Sequence, residues 1–277
     1  MTLRIGLNGF GRIGRSVYRI VDGRDDMEIV AANDRYSSEQ LAYLLQYDTV
    51  MGTFESPVEA AEDAIIVGDR TMRLLRNKMP GEVPWGDLGV DLVIEATGKF
   101  RTREALLPHI EAGARKVILT VPPQKTSDVD AIVVLGVNDE VLGSKCVLVS
   151  NASCTTNCLA PVAKVLDESF GIECGFMTTV HAYTNDQRLA DVAHKDKRRA
   201  RAATQNIIPT TTGAAAAVGN VLPGLQGKLT GLAVRVPVPN GSVVDLVVDL
   251  RTDPSEQEVN GAVREAAAGP LQRILEY

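Results

Sequence analysis

The chain has 277 residues, of which 45% are hydrophobic and 23% charged, and its formal net charge is −6 at pH 7. Such a chain is long enough for two globular domains of ordinary size. Its negative charge argues against nucleic acid as a partner, and no apolar run is long enough to span a membrane. Four cysteines without a secretory leader predict free thiols in the cytoplasm. The three histidines lack metal-ligand spacing, so no metal site is expected.

The amino-terminal segment has the pattern of a dinucleotide-binding unit. Residues 3–8 predict a strand, and the G-x-G-x-x-G sequence of residues 9–14 follows it directly and opens a helical pattern. Its glycines allow a tight turn and let the backbone approach a pyrophosphate at the helix N-terminus. A second predicted strand, residues 29–32, ends near Asp34, whose carboxylate is placed to bind a ribose 2′-hydroxyl. This context favours dinucleotide binding over a plain strand–turn–helix.

The rest of the first half alternates strands and helices, which predicts a doubly wound, mostly parallel α/β sheet. The predicted elements are a hairpin within residues 60–76, strands over 92–96, 116–119, 131–137 and 146–149, and a helix over 102–113.

The second half has a different pattern and is predicted to form a separate domain. β-Branched strands are expected over residues 172–181, 228–237 and 242–251, and Asn240-Gly241 between the last two indicates a hairpin. An antiparallel sheet follows from that hairpin. Residues 182–206 form a long polar segment, and a loop of that length is usually functional or at an interface.

The sequence S-N-A-S-C-T-T-N-C occupies residues 150–158, between a predicted buried strand and a helical pattern. Ser153 or Asn151 is placed to cap that helix. Cys154 is therefore expected in the first turn, where the helix dipole and free amides lower the pKa of a thiol. The alternative is a small buried thiol, but polar neighbours on both sides argue against it. Cys158, one turn later, is interpreted as structural.

A base and a cation are expected near this thiol. His181 ends a predicted strand, and a neutral imidazole there can deprotonate a thiol, although a hydrogen-bonded structural histidine is the alternative. His109 and His194 are placed in a surface helix and a charged loop, with no assigned chemistry. Arg235 interrupts a β-branched strand and requires an anionic partner. That partner is either Asp245 or an anionic substrate, and nearby hydroxyl clusters favour the substrate.

The basic run K-D-K-R-R-A-R at residues 195–201 has two interpretations. A nucleic-acid patch is disfavoured, because the protein is acidic and the run lacks interleaved aromatic residues. The alternative is a loop whose arginines pair with carboxylates or with one substrate phosphate. The threonine cluster at residues 210–213 fits that second interpretation.

Several motifs together resemble phosphorylating glyceraldehyde-3-phosphate dehydrogenases. They are G-F-G-R-I-G-R, S-N-A-S-C-T-T-N-C, H-A-Y-T-N-D-Q, R-R-A-R-A and P-T-T-T-G-A-A. The resemblance covers residues 2–277 and implies an NAD(P)-binding Rossmann domain over residues 1–153, followed by an α+β catalytic domain over residues 154–277. It also implies a cytoplasmic homotetramer that oxidises D-glyceraldehyde 3-phosphate to 1,3-bisphosphoglycerate with NAD and inorganic phosphate.

The resemblance implies specific roles for the motif residues. Cys154 would be the nucleophile that forms a hemithioacetal and then a thioester, and His181 would be its base. The cofactor-binding residues would be Gly9, Gly11, Arg12, Ile13, Gly14, Asp34, Lys78, Thr97 and Thr120. The substrate phosphate would be held by Thr184, Arg199 and Arg235, and the attacking inorganic phosphate by Ser153, Thr155, Thr212 and Gly213.

The chain departs from the family pattern at three places. Residues 78–79 are Lys-Met where the family usually has Arg-Asp near the adenosine. Residues 192–193 are Val-Ala instead of the Leu-Pro of strictly NAD-dependent bacterial members, and Arg35 follows Asp34, so NADP stays open as an alternative cofactor. The sequence also stops before the family's last strand and final helix. An incomplete catalytic domain, an apolar groove on the nucleotide-binding domain and reduced activity are therefore expected.

Three alternatives remain open. The chain could be a truncated, non-catalytic paralogue that binds nucleotide or a partner subunit, although the intact Cys154/His181 pair disfavours this. Erythrose-4-phosphate dehydrogenases share the cysteine motif but lose the threonine after the histidine, which is kept here as Thr184. Semialdehyde dehydrogenases share the fold and chemistry without these motifs.

Overall fold

A computed structural model describes residues 2–277, which form two compact units. The first unit runs to Ile132 and includes Val141–Ala152, and the second consists of Val133–Glu140 and Ser153–Tyr277. The expected continuous segment of residues 1–153 is therefore interrupted by a short excursion.

Residues 133–140 group with the second unit because a lysine of that unit binds them. The Nζ atom of Lys164 donates hydrogen bonds to the carbonyl oxygens of Gly136 and Val137, at 3.0 Å each.

The first unit is built around a large, mostly parallel sheet. The strands of this unit are β1 (Leu3–Asn8), β2 (Met27–Asn33), β3 (Tyr47–Asp48), β4 (Gly52–Thr53), β5 (Val58–Ala61), β6 (Ala64–Val67), β7 (Arg70–Leu75), β8 (Leu92–Glu95), β9 (Lys116–Leu119), β10 (Ala131–Ile132) and β11 (Leu148–Ser150), of which β3 and β4 form a separate two-stranded sheet. The helices are α1 (Arg12–Asp22), α2 (Ser38–Gln46) and α3 (Arg103–Glu111). The sheet order is β10-β11-β9-β8-β1-β2-β7-β6-β5, and the strands from β10 to β7 are parallel to their neighbours.

Both faces of this sheet are covered, as the alternation of strands and helices predicts. Ile5 and Leu7 of β1 point into an apolar cluster that includes Tyr18 of α1. Gly6 faces the other side, where an added Cβ would lie 2.5 Å from the ring of Trp85. Parallel sheets are typically buried on both faces in this way. The predicted doubly wound α/β fold is confirmed.

Two details of this sheet differ from the prediction. The expected hairpin is present, but β7 also pairs with β2 in parallel and so joins the main sheet. The strand expected over residues 131–137 ends at Ile132. A turn follows instead, in which Val134 N–H donates to Asn138 Oδ1 at 2.9 Å and Gly136 has a φ of 75°.

The second unit contains a smaller mixed sheet with helices. Its elements are α4 (Cys154–Phe170), β12 (Ile172–Ala182), β13 (Ile208–Thr211), α5 (Ala214–Ala217), β14 (Leu229–Val236), β15 (Ser242–Leu250) and α6 (Glu256–Ala268). The sheet order is β13-β14-β12-β15, with β12 parallel to β14 and antiparallel to β15. Within residues 2–277, no helix is long and apolar enough to cross a membrane.

The hairpin predicted at Asn240-Gly241 is wrong. The turn joins β14 to β15, but β12 lies between these two strands, so Val180 pairs with Val234 on one side and Val243 on the other. Neighbouring strands are about 4.8 Å apart, and a short connection therefore reaches over one intervening strand. The pairing partner comes from a distant part of the sequence, which a local turn signal does not reveal.

One face of the smaller sheet is buried and the other is open. The buried face packs Met177 and Leu229 against Leu159 and Ala163 of α4. The opposite face carries large apolar side chains that are exposed in this chain: Phe176, Val180, Leu232, Val243 and Val247. We call these five residues the apolar sheet face.

The first unit also contains an open, largely apolar cleft of about 1030 Å³. Leu3, Leu92 and Val117 line it from β1, β8 and β9, and Leu142 and Val149 line it from the segment around β11.

Candidate active site

The first turn of α4 places Cys154 as the sequence predicts. Ser153 is the N-cap, and its Oγ accepts a hydrogen bond from Thr156 N–H at 3.0 Å. Asn151, the other predicted cap, instead donates its N–H to the carbonyl of Leu119 at 3.2 Å. Cys154 is consequently the first residue of the helix, where the dipole favours an anion.

Cys154 forms a hydrogen-bonded pair with His181. Its Sγ lies 3.3 Å from Nε2 of the imidazole. This hydrogen bond is the main cause that lowers the pKa of Cys154 to about 7, against the opposing effect of partial burial, and contacts with Thr155 lower it further. The same bond raises the pKa of His181. The geometry therefore supplies a thiolate near neutral pH.

The other ring nitrogen of His181 is anchored to the backbone. Nδ1 lies 2.7 Å from the carbonyl oxygen of Ala182, which can only accept, and 3.0 Å from Nη1 of Arg235, which can only donate; the shorter contact places the proton on Nδ1. Nε2 is then left to exchange a proton with the thiol. Nη1 of Arg235 also donates to this carbonyl, at 2.9 Å. It lies 3.0 Å from Nδ1, and its charge opposes the rise in the pKa of His181.

Arg235 faces the histidine because the two residues are directly opposite in the parallel pair of β12 and β14. Asp245, the predicted structural partner, pairs with Thr178 instead, on a different part of β12. The Nε atom of Arg235 is buried and has no hydrogen-bond partner among residues 2–277. Burial and the charge of Arg199 lower the pKa of Arg235. A partly buried guanidinium with an unused donor is a natural binding site for an anion.

Arg199 and Thr184 lie beside Arg235. Nη1 of Arg235 approaches Thr184 Oγ1 at 3.4 Å. Arg199 forms an ion pair with Asp186 and donates from Nε to Thr210 Oγ1 at 3.0 Å. Partial burial opposes this ion pair, but Arg199 still holds the pKa of Asp186 below its usual value. The structure thus brings Thr184, Arg199 and Arg235 into one cationic cluster.

The residues predicted to hold inorganic phosphate occupy two helix starts. Ser153 and Thr155 belong to the first turn of α4, and Thr155 is buried. Gly213 precedes the short helix α5, and Thr212 Oγ1 accepts from the N–H of Ala214 at 3.2 Å. Helices α4 and α5 are in contact. No direct hydrogen bond joins the two pairs within the described residues.

The predicted cofactor residues gather in the first unit, at the carboxyl ends of parallel strands. Gly9 has a φ of 98°, and an added Cβ would lie 2.8 Å from the backbone nitrogen of Thr97. Gly14 leaves no room for a Cβ against the carbonyl of Gly9, at 2.2 Å. Gly11 has open space and caps α1 without a side-chain hydrogen bond. Such a turn fits a pyrophosphate at the helix N-terminus.

The remaining cofactor residues surround this turn. Asp34 Oδ2 accepts from the N–H of Phe10 at 2.8 Å, which places the carboxylate next to the glycines. Thr120 follows β9, and its hydroxyl donates to the carbonyl of Glu95 at 3.0 Å. Arg12 and the half-exposed Ile13 open α1, and Lys78 lies in the loop after β7.

The structure corrects two interpretations of individual residues. His109 is not on the surface but fully buried. Its Nδ1 accepts a hydrogen bond from Trp85 Nε1 at 3.0 Å. The apolar loop that covers it is not visible in the helix pattern alone. Cys158 is an exposed position on α4, not a packed structural one. Partial covering of its thiol raises its pKa, as does the charge of Cys154.

Sequence reasoning missed three groups that shape these sites. They are Glu95, Asn8 and the carbonyl of Ala182. Glu95 and Asn8 are both buried polar residues at the ends of apolar strands, and that position is the signal that could have singled them out. Among residues 2–277, no group of three or more His, Cys, Asp or Glu residues could hold a metal ion.

Comparison with protein families gives matches to both units. The NAD-binding domain of glyceraldehyde 3-phosphate dehydrogenase matches residues 3–103. The C-terminal domain of glyceraldehyde 3-phosphate dehydrogenase matches residues 153–277. The predicted cofactor, NAD, is therefore confirmed at the level of the family.

Individual relatives match the entire chain. Glyceraldehyde-3-phosphate dehydrogenase 2 of Bacillus subtilis (strain 168) is 54% identical, over 100% of this chain and 81% of the relative. The glyceraldehyde-3-phosphate dehydrogenase of Streptomyces coelicolor is 53% identical over 100% of this chain and 82% of its own length. That of Mycobacterium tuberculosis (strain H37Rv) is 52% identical, with coverages of 100% and 83%.

We predict that iodoacetamide alkylates Cys154 faster than the other thiols, with a rate that rises through about pH 7. In His181→Asn the largest cause of the lowered pKa is lost, so the midpoint should move upwards. Labelling at pH 7 should then fall about tenfold. Peptide mass mapping over a series of pH values measures both effects.

Cys158→Ser serves as the control and should leave the labelling of Cys154 unchanged. Equal or faster labelling of Cys146, Cys158 or Cys174, or an unmoved midpoint in His181→Asn, would contradict the prediction.

Proposed function

The chain belongs to the glyceraldehyde-3-phosphate dehydrogenase family, and we propose that it oxidises D-glyceraldehyde 3-phosphate to 1,3-bisphosphoglycerate with NAD and inorganic phosphate. The observation that carries this proposal is the 3.3 Å contact between Cys154 Sγ and His181 Nε2, next to a cationic cluster. The contact supplies a nucleophile, and the cluster supplies a site for the phosphate of an aldehyde substrate.

The substrate phosphate binds the cluster formed by Thr184, Arg199 and Arg235. Two guanidinium groups provide charge-assisted hydrogen bonds, which are stronger than bonds between neutral groups. The free Nε of Arg235 gains a partner when the anion binds. Because Arg235 also lies next to His181, a phosphate held there keeps the other end of a short substrate near the thiol.

The thiolate of Cys154 attacks the aldehyde carbon, and a carbon–sulfur bond forms while the carbonyl π electrons move to oxygen. The imidazolium of His181 gives its proton to this oxygen, which produces a neutral hemithioacetal. When the hemithioacetal is oxidised, the imidazole takes the hydroxyl proton back and the carbonyl of a thioester forms. NAD, when bound, accepts the hydride that leaves the carbon.

Inorganic phosphate then cleaves the thioester. A phosphate oxygen attacks the acyl carbon, the carbon–sulfur bond breaks, and the products are an acyl phosphate and the free thiolate of Cys154. The hydroxyls of Ser153, Thr155 and Thr212, with Gly213, are the groups proposed to hold the attacking phosphate. A thiolate stabilised by His181 and the helix dipole is a good leaving group, which favours this step.

We predict NADH formation that requires both the triose phosphate and inorganic phosphate. Cys154→Ser should abolish it, because a hydroxyl is a much weaker nucleophile than a thiolate. Arg199→Leu should raise the KM for the triose phosphate about tenfold or more, since a charge-assisted contact is lost. Absorbance of NADH in steady-state assays gives these values.

The matched control is Arg201→Leu, which removes an exposed arginine of the same loop. Its KM should stay close to that of the unmodified protein. NAD binding without any phosphate-dependent NADH formation would favour the non-catalytic paralogue, and a preference for erythrose 4-phosphate would favour that alternative.

We also propose that Asp34 makes NAD the preferred cofactor over NADP. Its carboxylate lies beside the glycine turn and both of its oxygens accept backbone hydrogen bonds, from Phe10 and Arg35. A carboxylate there binds a ribose 2′-hydroxyl and repels a 2′-phosphate. The neighbouring Arg35 weakens this repulsion.

For this cofactor preference, kcat/KM should be at least about tenfold higher with NAD than with NADP, given the charge repulsion. Asp34→Asn keeps the acceptor for Phe10 but removes the charge, so the ratio should fall. Steady-state kinetics with each cofactor test this, and Asp25→Asn is an exposed control. A tenfold preference for NADP would overturn the assignment.

The apolar sheet face supports a homo-oligomer, and we propose a homotetramer. Large apolar side chains exposed on one face of a sheet, here on either side of the pair Thr178 and Asp245, usually mark an interface between chains. A sheet face that packs against its own copy about a two-fold axis buries the same residues on both chains. The chain's free cysteines fit a reducing compartment, and we place the protein in the cytoplasm.

We predict that Val247→Asp yields a smaller species than the unmodified protein in light scattering after gel filtration. Desolvating a carboxylate in an apolar interface is costly, so association should weaken. Ile20→Asp, the same kind of change on the exposed side of α1, is the control. A monomeric unmodified protein would refute the oligomer, and an unchanged mass for Val247→Asp would refute the role of the apolar sheet face.

A further inference from the structure

We infer that Glu95 is a positioning residue for NAD, which holds the cofactor turn through Thr97 and must be an acceptor on both carboxylate oxygens. The inference uses NAD binding by the first unit and does not depend on the proposed reaction. Glu95 is fully buried at the end of β8, and none of its hydrogen-bonded neighbours described for residues 2–277 is a lysine or an arginine.

Every neighbour of Glu95 within the described residues donates to it. The N–H and the hydroxyl of Thr97 donate to Oε1, the N–H at 2.8 Å. The Nδ2 of Asn8 donates to Oε2 at 2.5 Å, and His109 Nε2 lies 3.2 Å from the same oxygen. Such convergence suits a carboxylate, because it accepts on both oxygens.

The direction of the histidine contact is fixed by Trp85. An indole N–H can only donate, and Trp85 Nε1 lies 3.0 Å from Nδ1 of His109. Nδ1 therefore accepts, which leaves the proton of the neutral ring on Nε2. That proton points at Glu95.

The direction of the amide contacts is fixed from the opposite end. The backbone N–H of Asn77 donates to Asn33 Oδ1 at 2.8 Å, so the side-chain amide of Asn33 cannot be reversed. Asn33 Nδ2 donates to Asn8 Oδ1 at 2.8 Å, and Asn8 Nδ2 donates to Glu95. All bonds of this relay run towards the carboxylate.

A glutamine at position 95 does not satisfy these donors in either orientation. With its amide nitrogen on the Oε1 side, it meets the backbone N–H of Thr97. On the Oε2 side it meets the N–H groups of Asn8 and His109. A buried donor that loses its acceptor costs as much as a lost hydrogen bond or more.

The network reaches the cofactor residues through the chain itself. Asn8 directly precedes Gly9, Asn33 precedes Asp34, Asn77 precedes Lys78, and Glu95 is two residues before Thr97. The Thr97 backbone also forms a wall against the turn, since a Cβ on Gly9 would lie 2.8 Å from its nitrogen. A shift of Thr97 therefore moves the surface on which the glycine turn rests.

The test measures NAD binding to the intact protein by titration calorimetry, for Glu95→Gln and for the unmodified protein. We expect the Kd for NAD to rise about tenfold or more, from the loss of buried acceptor capacity. The rate of Cys154 alkylation without cofactor should be unchanged, because Cys154 and His181 lie in the other unit. Glu111→Gln, the same chemical change at an exposed position on α3, should leave the Kd unchanged.

A second arm examines the fixed direction of the histidine contact. Trp85→Phe removes the indole donor, so His109 is free to move its proton to Nδ1 and accept from a glutamine amide. The fold-increase in Kd caused by Glu95→Gln should therefore be smaller in the Trp85→Phe background. An equal increase in both backgrounds would overturn the directional relay.

A Kd for Glu95→Gln within about twofold of the unmodified value would overturn the inference, since the lost acceptor predicts more. A parallel loss of NAD binding and of Cys154 alkylation indicates that Glu95→Gln does not fold, and Asn33→Ala then decides the inference. Asn33→Ala removes the amide that donates to Asn8, so it breaks the relay two hydrogen bonds before Glu95 without changing the carboxylate itself. An increase in its Kd supports the inference, and an unchanged Kd overturns it.

Discussion

The hydrogen bond between Cys154 and His181 is the contact on which the catalytic unit depends. It requires the start of α4 and the end of β12 to meet at 3.3 Å. Ser153 fixes the first by ending the loop with a side-chain cap, so the thiol lies in the first helical turn. The backbone carbonyl of Ala182 fixes the second, since it holds the far side of the ring. The parallel pairing of β12 and β14 then brings Arg235 beside the ring, without a contribution from any loop.

Local signals in the sequence predicted most of this site, and long-range pairing accounts for what they missed. The cap at Ser153 and the turn at Gly9 depend on residues a few positions away, so the local sequence predicts both. In contrast, β12 comes from a much earlier part of the chain than β14 and β15, and it nevertheless lies between them in the sheet. The Asn240-Gly241 turn is compatible with either arrangement. His109 was misplaced for a similar reason, because the Trp85 loop that buries it is distant in sequence.

Two buried polar groups, Glu95 and Arg235, differ in how completely they are hydrogen-bonded. In the first unit, Glu95 collects donors until its acceptor capacity is used, and the result is a rigid support. In the second, Arg235 keeps a buried Nε without a partner. A buried donor without a protein partner gives an arriving anion an additional hydrogen bond. The fully bonded Glu95 thus supports the cofactor turn, and the unpaired Nε of Arg235 is available to an anion.

The ion pair of Arg199 with Asp186 shows how a phosphate site can be ordered before the phosphate arrives. The Asp186 side chain is 49% exposed, and a pair of that kind contributes only about 0–1 kcal/mol. A charge-assisted hydrogen bond from Arg199 to a phosphate contributes about 1.5–3 kcal/mol. At the proposed site, a substrate phosphate would therefore displace Asp186 from the guanidinium, and the carboxylate holds Arg199 in place in the free protein. Arg199 binds Asp186 through Nη1 and Thr210 through Nε. A phosphate that replaces Asp186 at Nη1 leaves the bond to Thr210 intact, so the arginine need not reorient.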